Sequence, residues 1–346
     1  MTWHVVTTDY PPRDGGVATW AEGVARALHL AGEPVLVHAR DGAPADHPVP
    51  AVRMCGRSWA RWGSWWAAGS VLPRLRAGDR IVAATWPMAS RLLGGAARRD
   101  VPVFVAWHGS DLTRPPLVDG LDRVRRSAIL IPVSAYLGGL LGQPYTVLPA
   151  PIDPLTPVPR GDRLLVVARL GPLKGGDRAL RLAKRLGRPI TLVGEGPARE
   201  GLEALAKDLG VDATFTGALP RDQIPWAGTW ALALLSRAEA SGDLSRSASR
   251  SAPTPRGWAV PPGGAGQEGL GLVLLEAAAR GIPSIGSRVG GIPEAASVVL
   301  DDPEHDPIPP LPGADAVRAA LVARHGSGRV VDVLRELARS RPDRVS

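Results

Sequence analysis

Five prolines between positions 149 and 161 divide this chain into two runs of alternating strand-like and helix-like segments. That alternation constrains the fold more than any other feature. In the first run, short apolar segments at Trp3–Thr7, Val35–Ala39, Arg80–Ala84, Pro102–Trp107, Ile129–Val133 and Tyr145–Leu148 read as strands, and Val17–Ala31 and Tyr136–Leu141 as helices. The second run places strands at Arg163–Ala168, Ile190–Val193, Ala213–Thr216, Trp230–Leu235 and Pro283–Ser287, with helices at Asp177–Leu186 and Arg199–Leu209 between them. Strands separated by helical stretches imply parallel sheets joined by crossover helices. The expected architecture is α/β: two Rossmann-like, doubly wound parallel-sheet domains facing across a cleft. Their expected extents are 1–150 and 161–313, joined by a stiff Pro-rich linker at 151–160, with C-terminal helices over 314–346. Such domains bind ligands at the carboxyl ends of their strands.

A length of 346 residues suits two domains with separate cores, and 45% apolar with 21% charged residues is ordinary for a globular chain. A single cysteine, Cys55, rules out an internal disulfide framework and fits a reducing compartment. The opening Met-Thr-Trp-His-Val-Val lacks a basic segment followed by an apolar stretch, so a cytoplasmic protein is expected. Residues 127–152 carry no charge, but glycines and prolines interrupt them repeatedly, so they are not expected to span a membrane. The net charge of +8 favours anionic partners. Lys174, Lys184 and Lys207 are the only lysines, no nucleic-acid motif is present, and no nucleic-acid partner is expected.

Three segments break the pattern. Residues 238–266 are Ser-rich and poor in core-forming side chains, which reads as a mobile inserted loop, with a lid or acceptor contact as the functional alternative. Asp301-Asp-Pro-Glu-His-Asp-Pro307 holds enough carboxylate for a metal, yet its prolines give the acids no fixed geometry, and a solvated loop is expected. Trp59, Trp62 and Trp66 share one helical face beside Arg57 and Arg61. That face reads as a core or cleft wall, with a peripheral membrane contact through Trp59–Trp66 as the alternative.

The chemistry is concentrated in Glu268-Gly-Leu-Gly-Leu-Val-Leu-Leu-Glu276, where two carboxylates flank an apolar run. Glu268 falls on a loop entering a helix and Glu276 one to two turns inside it. A helix start offers unpaired N–H groups and partial positive charge, which attract phosphate. Gly269 and Gly271 admit a ligand to that backbone, and the carboxylates can accept from sugar hydroxyls. A buried helix with two satisfied glutamates fits the same letters. Arg169 and Lys174 fall at a strand end and in the loop after it, where a planar fork and a mobile ammonium can hold a diphosphate. Ordinary surface charge is the other reading. Gly15 and Gly16 precede a helix, and His108 ends a strand. Neither forms a known phosphate loop or a hydrolase triad.

Several of these motifs resemble, in order, those of retaining glycosyltransferases of the GT-B fold, glycosyltransferase family four. The similarity lies in Glu268–Glu276 with the Gly290-Gly-Ile-Pro-Glu294 that follows, Tyr10-Pro-Pro-Arg-Asp-Gly-Gly-Val17, His108-Gly-Ser-Asp111, Val167-Ala-Arg-Leu-Gly-Pro-Leu-Lys-Gly175 and Val193-Gly-Glu-Gly-Pro197. It implies a metal-independent enzyme that needs no cofactor and moves a hexosyl unit from a nucleoside-diphosphate sugar to a glycolipid, polysaccharide or natural-product acceptor. Carried over residue by residue, it implies that His108, Arg169, Lys174 and Glu268 serve the transfer. Gly15, Gly16, Gly194, Gly196, Gly217, Leu219, Gly269, Leu270, Gly271 and Glu276 would bind the donor: the first two against diphosphate, residues 194 to 219 against the base, and Glu276 on the ribose. The long spacing between Ser236 and Glu268 departs from the family pattern. A degenerate nucleotide-sugar-binding protein and a GT-B-shaped sugar-nucleotide epimerase are the alternatives.

Overall fold

The computed structural model describes residues 1–13, 15–54, 66–109, 118–237 and 268–340, with the backbone alone at 118–122. It divides into two compact units, Met1–Asp153 together with the chain from Ala323 onward, and Pro154–Val322.

The first unit is built on a parallel sheet of β1 (Trp3–Thr7), β2 (Val35–Ala39), β3 (Ala51–Arg53), β4 (Arg80–Ala83), β5 (Val103–Trp107) and β6 (Ile129–Pro132). Their order is β3-β2-β1-β4-β5-β6. The second sheet comprises β7 (Arg163–Val167), β8 (Ile190–Val193), β9 (Ala213–Gly217), β10 (Thr229–Leu234), β11 (Ser284–Ser287) and β12 (Val298–Leu300). Its order, β12-β11-β10-β7-β8-β9, is the same winding, and every pairing in both sheets is parallel. Each sheet reverses direction beside its first strand, between β1 and β4 and between β7 and β10. Doubly wound sheets present their ligand site at that reversal.

Burial explains why these segments are strands. All five residues of β1 and of β5 are buried, as expected where helices cover both faces of a parallel sheet. In β7 the pleat sends Leu164 and Val166 into one core with Leu180, Ala183 and Leu192. Leu165 enters the opposite core with Leu232, Leu274 and Ile292. The terminal helix Ser327–Arg339 packs on the helix Gly16–Leu30 of its own unit, and Arg335 Nε donates to Glu33 at 2.8 Å. Asp153 accepts from the Ser327 backbone N–H at 2.8 Å, tying that helix to the end of the first run.

Two expectations change. Tyr145–Leu148 is not a strand: Thr146 and Leu148 donate to the Leu130 and Pro132 carbonyls, both at 3.0 Å, and no ladder follows. Pro132 has no N–H to return a bond, so pairing stops there. Conversely, the edge strand β3 and the helix Trp86–Ala97 had not been expected. The edge strand β12 and the helices Val118–Ser127 and Ile292–Ala295 were likewise not expected, while the strands and helices that were expected fall within about two residues of their bounds. No helix among the described residues is long and apolar enough to cross a membrane. The inserted segment and most of the tryptophan cluster, including Trp59 and Trp62, lie outside the described residues; Trp66 is exposed.

Candidate functional site

In the second unit the loop leaving β7 carries both predicted cations. Its backbone is braced by the turn after β8, with Ala168 N–H on Val193 O at 3.1 Å and Leu170 N–H on Glu195 O at 2.8 Å. This closeness explains Gly194, whose φ is +138°; a Cβ there would sit 2.0 Å from the Ala168 carbonyl oxygen. Gly196 stands in the same turn, and Gly217 O accepts from Gly194 N–H at 2.8 Å. Gly196 has the same packing reason, with a Cβ position 2.4 Å from the Leu170 carbonyl oxygen, whereas Gly217 is set by its left-handed φ of 80°. Leu219, half-buried, packs on the core formed by Leu165, Leu232 and Leu274.

Lys174 ends the single 3-10 turn Pro172–Lys174. Its Nζ donates to Glu268 Oε2 at 2.5 Å, and Ser236 Oγ donates to the same oxygen at 3.3 Å. The Lys174 side chain is 34% exposed and that of Glu268 14%, so the pair is open on the lysine side. Arg169 is exposed and forms no ion pair with a described residue. Thus the fold brings Lys174, Glu268 and Ser236 together and leaves Arg169 facing solvent.

Glu268 is held from behind by the turn at 290–291: Gly291 N–H donates to Glu268 O at 2.9 Å. Gly269, Leu270 and Gly271 are buried, and Gly271, left-handed at φ 79°, opens the helix Leu272–Ala279. No described side chain caps that helix start; Leu274 N–H returns to Gly271 O at 2.9 Å, and the N–H groups ahead of it are of the kind that attract an anion. Glu276, one turn inside, accepts from Arg221 Nη2 at 2.6 Å. The two carboxylates thus hold separate cationic partners. Sequence reasoning missed Arg221, which follows the Gly217–Leu219 segment, and Arg237, which pairs with Asp177 through both oxygens at 2.7 and 2.6 Å.

In the first unit, His108 follows β5. Its ring meets that of Trp20 edge-on at 5.1 Å, and Trp20 lies one turn inside the helix that begins at Gly16. Burial pushes the His108 imidazole down to about 4, against a smaller opposing pull from the Ala84 backbone. At neutral pH it is therefore an uncharged group able to share hydrogen bonds. Gly15 precedes that helix with φ 141°, exposed, and no side chain caps the start. Ser110 and Asp111 lie outside the described residues. In the 301–307 segment, Asp306 accepts from the N–H groups of Asp301 and Asp302, both at 2.8 Å. These acids shape a turn, and among the described residues no group of His, Cys, Asp and Glu is arranged to hold a metal.

A separate polar chain runs through the interior of the first unit. His4 Nε2 lies 3.4 Å from Asp79 Oδ2, His4 Nδ1 2.9 Å from His38 Nε2, and His38 Nδ1 2.9 Å from Ser70 Oγ. One set of tautomers satisfies all three: Ser70 donates to His38, His38 to His4, and His4 to Asp79. Burial pushes His38 down to about 3, with help from His4 and Arg74.

No family model matches the chain. Among characterised proteins it is similar to the GDP-mannose-dependent alpha-(1-6)-phosphatidylinositol monomannoside mannosyltransferase of Mycolicibacterium smegmatis. The two are 28% identical over 95% of this chain and 93% of that protein. The Mycobacterium tuberculosis H37Rv protein of the same description is 28% identical over 92% of this chain and 89% of its own length. Among solved structures, AviGT4, a glycosyltransferase involved in avilamycin A biosynthesis, superimposes with a TM-score of 0.64 at 19% identity, covering 98% of this chain and 97% of that one. Anabaena HepE in complex with UDP and glucose superimposes with a TM-score of 0.67 at 15% identity, covering 98% and 100%. These two structures establish the fold, and the relatives similar over their full length are described as glycosyltransferases. The chain is a glycosyltransferase of the GT-B fold.

Proposed function

We propose that this chain transfers a hexosyl unit, with retention and without a metal, from a nucleoside-diphosphate sugar to an acceptor hydroxyl. The observation that carries the reading is Lys174 Nζ on Glu268 Oε2 at 2.5 Å, beside the uncapped start of the helix Leu272–Ala279. A cation, a carboxylate and a helix start without a described side-chain cap, at one strand reversal, suit a phosphate joined to a sugar. GDP-mannose is the first donor to test, since the relatives similar over their full length are described as GDP-mannose-dependent.

When the donor binds, Lys174 turns from Glu268 to the diphosphate, Arg169 approaches it from the loop start, and Glu268 takes sugar hydroxyls. As the bond from the anomeric carbon to phosphate oxygen breaks, negative charge collects on the departing diphosphate. Each preorganised donor placed there lowers the barrier by about 2.7–4 kcal/mol. The acceptor oxygen joins the anomeric carbon on the face the phosphate leaves, and its proton passes to a phosphate oxygen. Transferred sugar and free nucleoside diphosphate result. Glu268 and Glu276 are then binding groups, not the acid and nucleophile of a glycosidase. Glu276 serves the ribose, and Gly269, Leu270 and Gly271 line the approach. The description of the same relatives as phosphatidylinositol monomannoside mannosyltransferases supports a lipid acceptor, which would bring the chain to a membrane surface.

A panel of GDP-, UDP- and dTDP-sugars tests the donor, because a ligand that prefers the folded state raises its melting midpoint. GDP-mannose should give the largest rise. Release of GDP should then depend on an added acceptor, persist in EDTA, and yield product whose anomeric configuration by NMR matches the donor. No shift with any donor would remove the reading.

A further inference from the structure

The three residues after β10 touch the Lys174 turn at Leu235 and Arg237 and its partner Glu268 at Ser236. The Leu235 carbonyl oxygen lies where a Cβ on Gly175 would fall, 2.0 Å away, and Gly175 holds the left-handed φ of 70° that the approach needs. Ser236 Oγ reaches Glu268 at 3.3 Å. Arg237 N–H donates to Leu173 O at 2.8 Å, and its guanidinium grips both Asp177 oxygens, at 2.7 and 2.6 Å, with a weaker bond of 3.4 Å to Pro172 O.

We propose that Arg237 is a positioning residue for Lys174, clamping the turn that presents the ammonium by holding Pro172 and Leu173 before it and Asp177 after it. The proposal rests on the reading of Lys174 as a diphosphate contact. A lysine ammonium sits on four flexible carbons, so its aim depends on how firmly its own backbone is fixed. The 3-10 turn Pro172–Lys174 supplies little stiffness by itself, since its capping glycines give no side-chain bond. A bidentate arginine–carboxylate pair adds direction as well as energy, which a lysine at 237 would not match. The Arg237 and Asp177 side chains are only 17% and 21% exposed, so water competes little for the pair. Burial alone would raise the Asp177 carboxyl, but the guanidiniums of Arg237 and Arg181 hold it below the usual carboxylate range. Arg181 also donates to Asp177 at 3.0 Å, so Asp177 keeps a partner when Arg237 is removed and the unit can still fold.

Two measurements on the full chain test the clamp. Hydrogen exchange at the amides of 171–177 needs no ligand: Arg237→Met should speed it at least tenfold while β7 and β8 are unchanged. Calorimetric binding of GDP in a double-mutant cycle ties the clamp to its cargo. Arg237→Met should weaken GDP about tenfold, Arg237→Lys should recover part of that, and adding Arg237→Met to Lys174→Met should cost less than twofold more. Unchanged exchange, or losses that multiply in the double variant, would overturn the proposal. If the wild-type chain binds neither GDP nor UDP, the donor reading fails, and exchange alone decides the clamp.

Discussion

Arg221 donates to Glu276 at 2.6 Å, so the carboxylate expected to hold the donor's ribose is already engaged by a cation from the segment after β9. The Arg221 side chain is 43% exposed, and water screens the pair. Such pairs contribute about 0–1 kcal/mol to folding. Glu276→Gln should therefore leave the urea midpoint almost unmoved while weakening GDP about tenfold, because the amide loses the charge that strengthens a bond from ribose. Calorimetry beside a denaturation curve separates the two effects. Equal GDP affinity would remove Glu276 from the donor site.

The two cations of the β7 loop differ in surroundings, and their variants should differ in stability but not in chemistry. Arg169→Ala and Lys174→Ala should each lower kcat at least tenfold if, as proposed, both groups act on the charge that develops on the leaving diphosphate. Arg169 is exposed, and its loss should change stability by no more than about 0.5 kcal/mol. Lys174 leaves Glu268 half-buried without its cation, so its loss should destabilise more. Near-normal turnover in both variants would take the pair out of the mechanism.

Much of this arrangement was legible in the sequence, and the reasons for the rest are physical. Apolar runs such as Trp3–Thr7 and Ile190–Val193 announce buried parallel strands because both faces are covered. β3 is only Ala51–Arg53 and half-exposed at an edge, so it has no apolar run to announce it. Tyr145–Leu148 has the composition of a strand, but its neighbour ends in a proline that cannot complete the ladder. Glu268 and Lys174 could be picked out through motif resemblance, yet nothing local in either segment shows that they meet. Arg221 and Arg237 gave no signal: in a chain with three lysines, arginine is the default cation, and the Asp177 that singles out Arg237 lies sixty residues away.

The first unit should lose stability in mild acid. His38 is pushed down to about 3, and His108 and His325 each to about 4, in every case chiefly by burial, from an ordinary value of 6.5. In the folded unit these rings stay neutral through the range where the unfolded chain protonates them. The unfolded state then binds more protons, so stability is full above about pH 6.5 and falls as pH drops toward 4. Each group steepens the fall by about 1.4 kcal/mol per pH unit. Hydrogen exchange of the β1, β4 and β5 amides, followed from pH 7 to 4.5 and corrected for intrinsic rates, should show the loss there before it reaches β7 and β8. A flat profile in the first sheet would show that these rings are not held neutral.

The placement of Glu268 should depend on the absence of a side chain at position 291. A Cβ on Gly291 would stand 2.0 Å from the Gly269 carbonyl oxygen and 3.1 Å from the Leu270 Cα. Both neighbours are backbone and cannot rotate aside, so in Gly291→Ala the loop that carries Glu268 must move. Overpacking of this kind costs about 1–3 kcal/mol. The displacement also draws the carboxylate from Lys174, so kcat should fall at least tenfold and GDP affinity with it. Gly139→Ala is the matching control: a Cβ there meets nothing within 4 Å inside the helix Ala135–Leu140, and stability should hold or rise. Wild-type turnover in Gly291→Ala, beside an unchanged control, would show that the Glu268 loop tolerates displacement and that its position is not set by this contact.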